Sequence, residues 1–531
     1  MKAKRIVNIY NFVRAVEPRI PAFTPAVLRE TTARQIDLVN HYRLPATFAL
    51  QYDALVDPGY PRLLRERLDP RCEIAAWWEI VQPLVEKAGL AWRGRFPWDW
   101  HAHVGFSTGY TPTERERLVD VYMQEFKAIF GGYPLTVGSW FIDTHSLAYM
   151  ADRYGIVASC NCKEQIGTDG YTLWGGYWNQ GYYPSRRNVY LPAQDAAAQI
   201  PVPVFRMLGS DPIYQYDDGL GRRHQGVVTL EPSYAAGGGD RAWVDWFLRL
   251  NAEEPCLAFA YVQSGQENSF TWERFGEALV MQTARIAALA GQGRIVVETL
   301  AQTGAWFRSR FPVTPATAVT ATEDWKGEGR KTVWYNSRFY RMNLLWEAGG
   351  FRVRDIHLFD QDYSDPYLDE PLRETACEYD ALPVVDGFNW SAADDRAGIR
   401  VVDLAAGGAP IDVGAPAVRE DSATELVVTC PQTSGGTLEI RCGEREAAFR
   451  FAGVPATSRP ALALSWRNGA QIPFERIEPQ TLHCRHKGFA YRVVCRDGLF
   501  DPAALGDGVL LIPGERGVSL VFDRMPVNRE K

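Results

Sequence analysis

Four carboxylates stand where an expected strand runs into a loop: Glu79 after residues 72–78, Asp143 after 135–141, Asp211 after 200–208 and Glu267 after 256–262. Two carboxyl groups flanking one bond are what glycosidic hydrolysis requires, ~5–5.5 Å apart for retention and ~6.5–9.5 Å for inversion. Each of the four also has a plain structural use. Glu79 precedes IVQPLVEKAG and suits a first helical turn, where the dipole favours negative charge. Asp143 precedes Thr-His-Ser-Leu and suits an N-cap; Glu267 stands ahead of a helical stretch at 270–290 and suits a cap or loop. Asp211 is followed by Pro212, as in an ordinary turn.

Aromatic residues form 12% of the chain, and many sit in loop-like, Gly-rich text rather than in periodic runs. FPWDWHAH (96–103) and YTLWGGYWNQGYYPSRR (171–187) are the densest stretches. Flat rings offer a π-face to the C–H face of a sugar; the same rings would equally clamp long loops to a scaffold. The expected substrate-binding set is Asn11, Trp78, Trp98, Trp100, His101, His103, Trp140, Trp174 and Trp178. If 98–103 is extended, His101 and His103 share a face with Asp99, a metal half-site; hydroxyl binding or packing is the alternative. Arg186 and Arg187 suit either an anionic glycan group or solvent.

The elements that must hold these residues alternate. Strands are expected at 5–12, 45–51, 72–78, 135–141, 154–160, 200–208, 256–262 and 294–299. Helices are expected at 25–42, 111–130, 145–153, 240–251, 270–290 and 302–310. The start of 111–130 is the clearest, with Thr111 as N-cap, Pro112 at N1 and Glu114 closing a capping box. About eight such units predict a parallel sheet closed into a β/α barrel. Two long interruptions, 161–199 and 209–238, follow strand ends on the face where such barrels carry their sites. From 400 onward short alternating runs such as TELVVTC, TLEIRC and VSLVFD predict a β-sandwich. The expected fold class is therefore α/β, a (β/α)7–8 barrel followed by a C-terminal β-sandwich. The expected domains are a catalytic barrel at 1–320, a connecting region of mixed structure at 321–395, and the sandwich at 396–531. The sandwich could bind glycan, but with few exposed rings apart from Trp466 it reads better as a brace.

PATFAL (45–50), CEIAAWWE (72–79) and the run from Thr111 to Ile156 follow, in order, a P-A-T-F strand, an E-I-G strand and a T-x-x-E helix ending in G-x-x-P. Over roughly 5–160 this pattern resembles the polysaccharide deacetylases, which implies a barrel of the glycoside hydrolase/deacetylase type. Metal-dependent members carry paired aspartates on strand one and H-x-x-x-H on strand three. Here those places hold Asn8 and Asn11, then Trp77 and Val81, which do not supply the carboxylates and imidazoles such a cation needs. The scaffold also resembles glycoside hydrolase family 57, whose W-x-P-E motif compares with Trp140-Phe141-Ile142-Asp143. That resemblance implies Asp143 as nucleophile. Val262 and Gln263 stand near its strand-seven acid, with Glu267 a few residues on as the expected proton donor, and VVETLAQTGAWFRSRFP (296–312) resembles its closing strand and helix. Glu79 and Asp211 would bind hydroxyls or exchange roles with this pair.

Composition narrows the rest. With 57 Lys+Arg against 64 Asp+Glu there is no excess of positive charge for non-specific nucleic-acid binding. No run approaches the ~18–20 apolar residues of a membrane span. The basic N-terminus lacks a leader-like core, being cut by Asn8, Asn11 and Arg14, so a cytoplasmic location is expected. Nine cysteines without a CxxC suggest reduced thiols. No Walker loop or HExxH occurs. The expectation is a carbohydrate-active hydrolase acting on an oligosaccharide or polysaccharide, first a metal-independent glycoside hydrolase with no cofactor. A metal-dependent deacetylase with an altered site around Asp99, His101 and His103 is second, and a catalytically silent glycan-binding protein third.

Overall fold

The computed structural model describes residues 3–502 and 508–522. Eight parallel strands build the first part: β1 (Lys4–Val13), β2 (Thr47–Leu50), β3 (Glu73–Trp77), β4 (Thr136–Gly138), β5 (Ala158–Asn161), β6 (Val204–Arg206), β7 (Phe259–Ser264) and β8 (Val296–Glu298). They run in the spatial order β7-β1-β2-β3-β4-β5-β6. Strand β1 is the longest and serves three neighbours: β7 along Lys4–Ile9, β8 along Ile6–Asn8 and β2 along Tyr10–Val13. No ladder joins β6 to β7. Gln180 spans that gap instead, its side-chain oxygen accepting from Tyr261 N at 2.8 Å and its carbonyl from Arg206 N at 2.9 Å. The result is a nearly closed β/α barrel.

Local chemistry explains the helices that surround it. Thr111 and Glu114 form the expected reciprocal cap on the helix Pro112–Phe130, and Gly131, at φ 85°, ends it. Its buried stripe of Leu118, Val119, Tyr122, Met123 and Phe126 faces the barrel. Inside the barrel, Phe12 stacks on Trp77 with centroids 3.9 Å apart, and Trp140 meets both edge-on. Gly138 is required beneath them, because a Cβ there would lie 2.1 Å from Tyr10 Oη. The interior is thus filled by side chains below the level of the strand ends.

Most of the remaining strands form two antiparallel sheets, a β-sandwich. One holds Thr317–Ala321, Lys331–Asn336, Tyr340–Glu347, Gly350–Leu358, Gly398–Asp403, Pro460–Ser465, Gly508–Ile512 and Leu499–Asp501 in that order, with Leu382–Asp386 also beside Gly350–Leu358. The other runs from Ala417–Glu420 through Val518–Val521 to Phe474–Glu478. Period-two burial is plain in Thr437–Cys442, where Leu438, Ile440 and Cys442 point inward. Within 321–395, expected as a connecting region of mixed structure, Lys331–Asn336, Tyr340–Glu347, Gly350–Leu358 and Leu382–Asp386 are strands of the first sheet.

The two parts are bolted together by buried aromatic and ionic contacts. Trp178 from the first long loop stacks on Trp334 of the sandwich, 3.8 Å apart and 2° from parallel. Arg341 grips Asp355 with two bonds of 2.8 Å and reaches Glu164, just beyond β5, at 2.5 Å. Glu164 also accepts the N–H groups of Gly175 and Gly176 at 2.9 Å and the Tyr190 hydroxyl. Strand Tyr171–Trp174 pairs in parallel with Cys377–Asp380. The first long loop is therefore ordered by the sandwich. Replacing Arg341 by Met strands two buried carboxylates, and a stability loss of about 3–5 kcal/mol is expected. Urea unfolding checks this: an unchanged midpoint would show the bolt to be dispensable.

Candidate active site

At the C-terminal ends of the barrel strands lies a cavity of about 390 Å³. Strand β1 delivers Arg14 to its floor. The Arg14 guanidinium holds Glu79 side-on, with Nη2 to Oε1 at 2.7 Å and Nε to Oε2 at 3.0 Å. Its third nitrogen, Nη1, stands 2.8 Å from Glu267 Oε2. Glu79 follows β3 and Glu267 follows β7, so one cation ties together the ends of three strands. Gln51, after β2, donates to Glu79 at 2.5 Å, and the Ser269 hydroxyl donates to Glu267 at 2.7 Å. Trp98 covers the guanidinium face at 4.1 Å.

A third buried carboxylate faces this group. Glu231, from the second long loop, lines the cavity and is 5% exposed. The Gln266 amide donates to its Oε1 at 2.9 Å. Burial pushes its pKa up to about 7, with the negative charge of Glu267 adding to the effect. Burial also raises Glu267, but there Arg14 and Ser269 oppose it. Both pKa values stay above the ordinary one, and the two carboxyl groups open on one space in unlike surroundings. Trp100, Trp140, Tyr171, Tyr234 and Phe270 form the apolar wall.

Of the residues expected to act, Glu79, Glu267, Trp98, Trp100, His101 and Trp140 line this cavity. Asp143 and Asp211 do not, which corrects the expected convergence of four strand-end acids. Asp143 is the N-cap of the helix Thr144–Tyr154, accepting from Ser146 N at 2.9 Å. Arg115 pairs with it at 3.0 Å and Ser107 donates to its other oxygen. Burial works against its charge, yet Arg115 and these donors hold its pKa below the usual carboxylate value. Asp211 closes its Asp-Pro turn, taking Ile213 N at 2.7 Å and Tyr214 N at 2.8 Å, and bolts Trp243 Nε1 at 2.7 Å.

Several expected binding residues are structural as well. Trp78 is buried and donates to Ser107 at 3.0 Å. Trp174 and Trp178 are sealed against the sandwich, Trp174 donating to Asp386 at 2.9 Å. Asn11 accepts from Gln35 at 3.1 Å and Gln266 N at 3.3 Å, fixing the end of β7. His103 lies outside the lining, because His101 begins a one-turn helix, Ala102–Gly105, rather than an extended run. The Asp99 carboxylate is taken by Arg95 through two bonds of 2.8 Å. Arg186 pairs with Asp152 at 2.9 Å.

The donor set does not fit the metal of the deacetylases. Asn8 is spent on Glu298 O and Thr303, each at 2.8 Å, and Trp77 is stacked on Phe12. Among the described residues no group of three or more His, Cys, Asp or Glu is placed to hold an ion. The charged lining residues outside the expected set are Glu231, Lys163, Asp169, Arg14 and Arg19. The first three lie inside the two long loops, which were expected to reach this face; a search confined to strand-end acids passes over them.

No protein-family profile matches the chain, and no curated protein matches it. Among solved structures, a Parabacteroides distasonis protein assigned to the glycoside hydrolase/deacetylase class superposes with a TM-score of 0.54 at 16% identity, over 72% of this chain and 90% of that one. A Mycobacterium smegmatis protein assigned as a polysaccharide deacetylase gives 0.37 at 13% identity, over 58% and 92%. One from Pseudomonas aeruginosa PAO1, assigned likewise, gives 0.36 at 10%, over 58% and 93%. The likeness to the first of these is one of fold. No helix among the described residues is long and apolar enough to cross a membrane. Replacing Asp143 by Asn leaves Arg115 buried without its counter-charge; a loss of about 3 kcal/mol or more in urea unfolding is expected, and an unchanged midpoint would contradict the bolt assigned to this pair.

Proposed function

We propose that the chain is a carbohydrate-active hydrolase that cleaves a glycosidic bond with two carboxyl groups and no metal, Glu231 as general acid and Glu267 as the opposing anion. The observation that carries this reading is the pairing of two buried carboxyl groups, unequal in environment, on one ring-walled cavity. Glu231 keeps its proton close to neutrality and can hand it to the departing sugar oxygen. Arg14 and Ser269 favour charge on Glu267, which suits it to face the anomeric centre as positive charge develops there. Glu79, saturated by Arg14 and Gln51, holds Arg14 in place. The half-buried rings of Trp100 and Trp140 receive sugar rings, while Trp98 is taken up by Arg14 and Arg19. This reading moves the acid to Glu231 and leaves Asp143 to its cap.

The test is turnover on a glycan that the wild type cleaves. Glu231→Gln and Glu267→Gln are each expected to lower kcat by ~10²–10⁴-fold, and EDTA is expected to leave the wild type unaffected. Near-wild-type turnover by either variant would overturn the pairing. Wild-type kcat should fall as pH rises through about 7, where Glu231 loses its proton.

Stability supplies an independent check. The unfolded chain releases the Glu231 proton near its ordinary value, 4.5, while the folded chain keeps it to about 7. Between those values the unfolded state binds fewer protons, so this residue costs stability progressively as pH rises, up to a plateau above about 7. Glu231→Gln should therefore gain most over the wild type in melting temperature at pH 8 and least at pH 4.5. A constant difference across that range would show Glu231 to be ordinary.

A further inference from the structure

Lys163 is the one basic side chain of the cavity wall for which the described residues hold no carboxylate or ring partner. It follows β5, lines the cavity and is 1% exposed. Its ammonium donates to Glu164 O at 3.2 Å and to Gln165 Oε1 at 3.4 Å, both neutral and both long. Among the described residues no carboxylate lies within ion-pair distance of it. The natural candidate, the adjoining Glu164, is turned away: its oxygens are committed to Arg341, Tyr190 and the N–H groups of Gly175 and Gly176. A second buried cation adds to the local positive potential. Arg206, at the end of β6, stands 3.6 Å from Glu164 and over the Tyr190 ring, with Nε and Nη1 without a hydrogen-bond partner among the described residues. Both cations lie close enough to oppose the rise that burial gives the Cys162 thiol pKa.

Burying an ammonium without a counter-ion is costly, and a neutral sugar hydroxyl returns little of that cost. A carboxylate returns it through a charge-assisted hydrogen bond. A uronic acid carries its carboxylate at the edge of the ring, so a ring lying against the aromatic wall can direct that group sideways. The remaining acids that share the cavity are Glu79, Glu231, Glu267 and Asp169. Glu79 and Glu267 are answered by Arg14; Glu231 and Asp169 attract the Lys163 ammonium from beyond ion-pair distance, Glu231 keeping its proton to about 7 and Asp169 standing at the exposed rim. Burial also favours the neutral amine of Lys163, which an arriving anion would reverse.

We propose that the side of the cavity around Lys163 is an anion subsite that takes the carboxylate of a uronic acid residue, so that the substrate is an acidic glycan. The proposal names the substrate class for the hydrolase reading and rests on it, but its test is one of binding. Oligogalacturonate and oligoglucuronate are titrated calorimetrically into the full chain, each beside the same oligosaccharide after carboxyl reduction. The wild type should bind at least one uronate chain about 10-fold or more tighter than its neutral counterpart. Lys163→Met should abolish that preference while melting no lower than the wild type, and Lys163→Arg should keep it. Equal binding of charged and neutral chains, a preference that survives in Lys163→Met, or no binding of either uronate chain would overturn the subsite. Charge discrimination without turnover would count against the hydrolase reading alone, and turnover of neutral chains without discrimination against the subsite alone.

Discussion

One guanidinium sets the geometry on which the candidate site depends. Arg14 is 1% exposed and saturates Glu79 while touching Glu267. A buried arginine is tolerable only when its donors are met by carboxylates in good geometry, and here the two acids come from different strands. The same contact that satisfies Arg14 therefore fixes the relative positions of β1, β3 and β7 at the working face. Its placement follows from β1, whose ladders to three neighbours leave its last residues no freedom of direction. Rigid strands supply the fixed charge; the loop-borne Glu231 supplies the group whose proton is mobile.

The sandwich contributes to that arrangement from outside the barrel. Residues 161–199 would be a floppy excursion if left in solvent, since a loop of that length pays a large ordering entropy. Instead Trp178, Tyr190 and Glu164 are buried against residues of the sandwich or held by Arg341. His357 extends the same network: the neighbouring Asp355 and Asp386 outweigh the cost of its burial and push its pKa up to about 9. Residues Thr375 and Ala376, ahead of the strand Cys377–Asp380, reach the cavity itself. The braced loop is the one that presents Lys163.

Much of the fold was legible because its signals are local. Thr111, Pro112 and Glu114 announce a helix start from four consecutive residues, and the alternation of Thr437–Cys442 announces a half-buried strand. The site was legible only in part, because position at a strand end does not say which way a side chain is recruited. Glu79 and Asp143 obey the same positional rule, yet Glu79 meets Arg14 inside the cavity and Asp143 meets Arg115 behind it. The difference lies in arginines 65 and 28 residues away in the chain, a long-range pairing that no short motif encodes. The aromatic loops were ambiguous for the same reason: Trp98 faces a cavity and Trp178 another tryptophan, and both outcomes fit a Gly-rich, ring-rich text.

Gln180 has a consequence for how this architecture can vary. Where neighbouring staves are elsewhere joined by a ladder, those two are joined through a single residue that offers one acceptor from its backbone and one from its amide. Shifting the chain by one position at that point would withdraw both acceptors together and leave two interior N–H groups orphaned. The hairpins of the sandwich can lengthen or shorten at little cost, but the segment leading into this seam is obliged to keep its count. Tolerance of insertions is therefore unevenly distributed over the molecule, and it is least where the ring of staves comes closest to being left open.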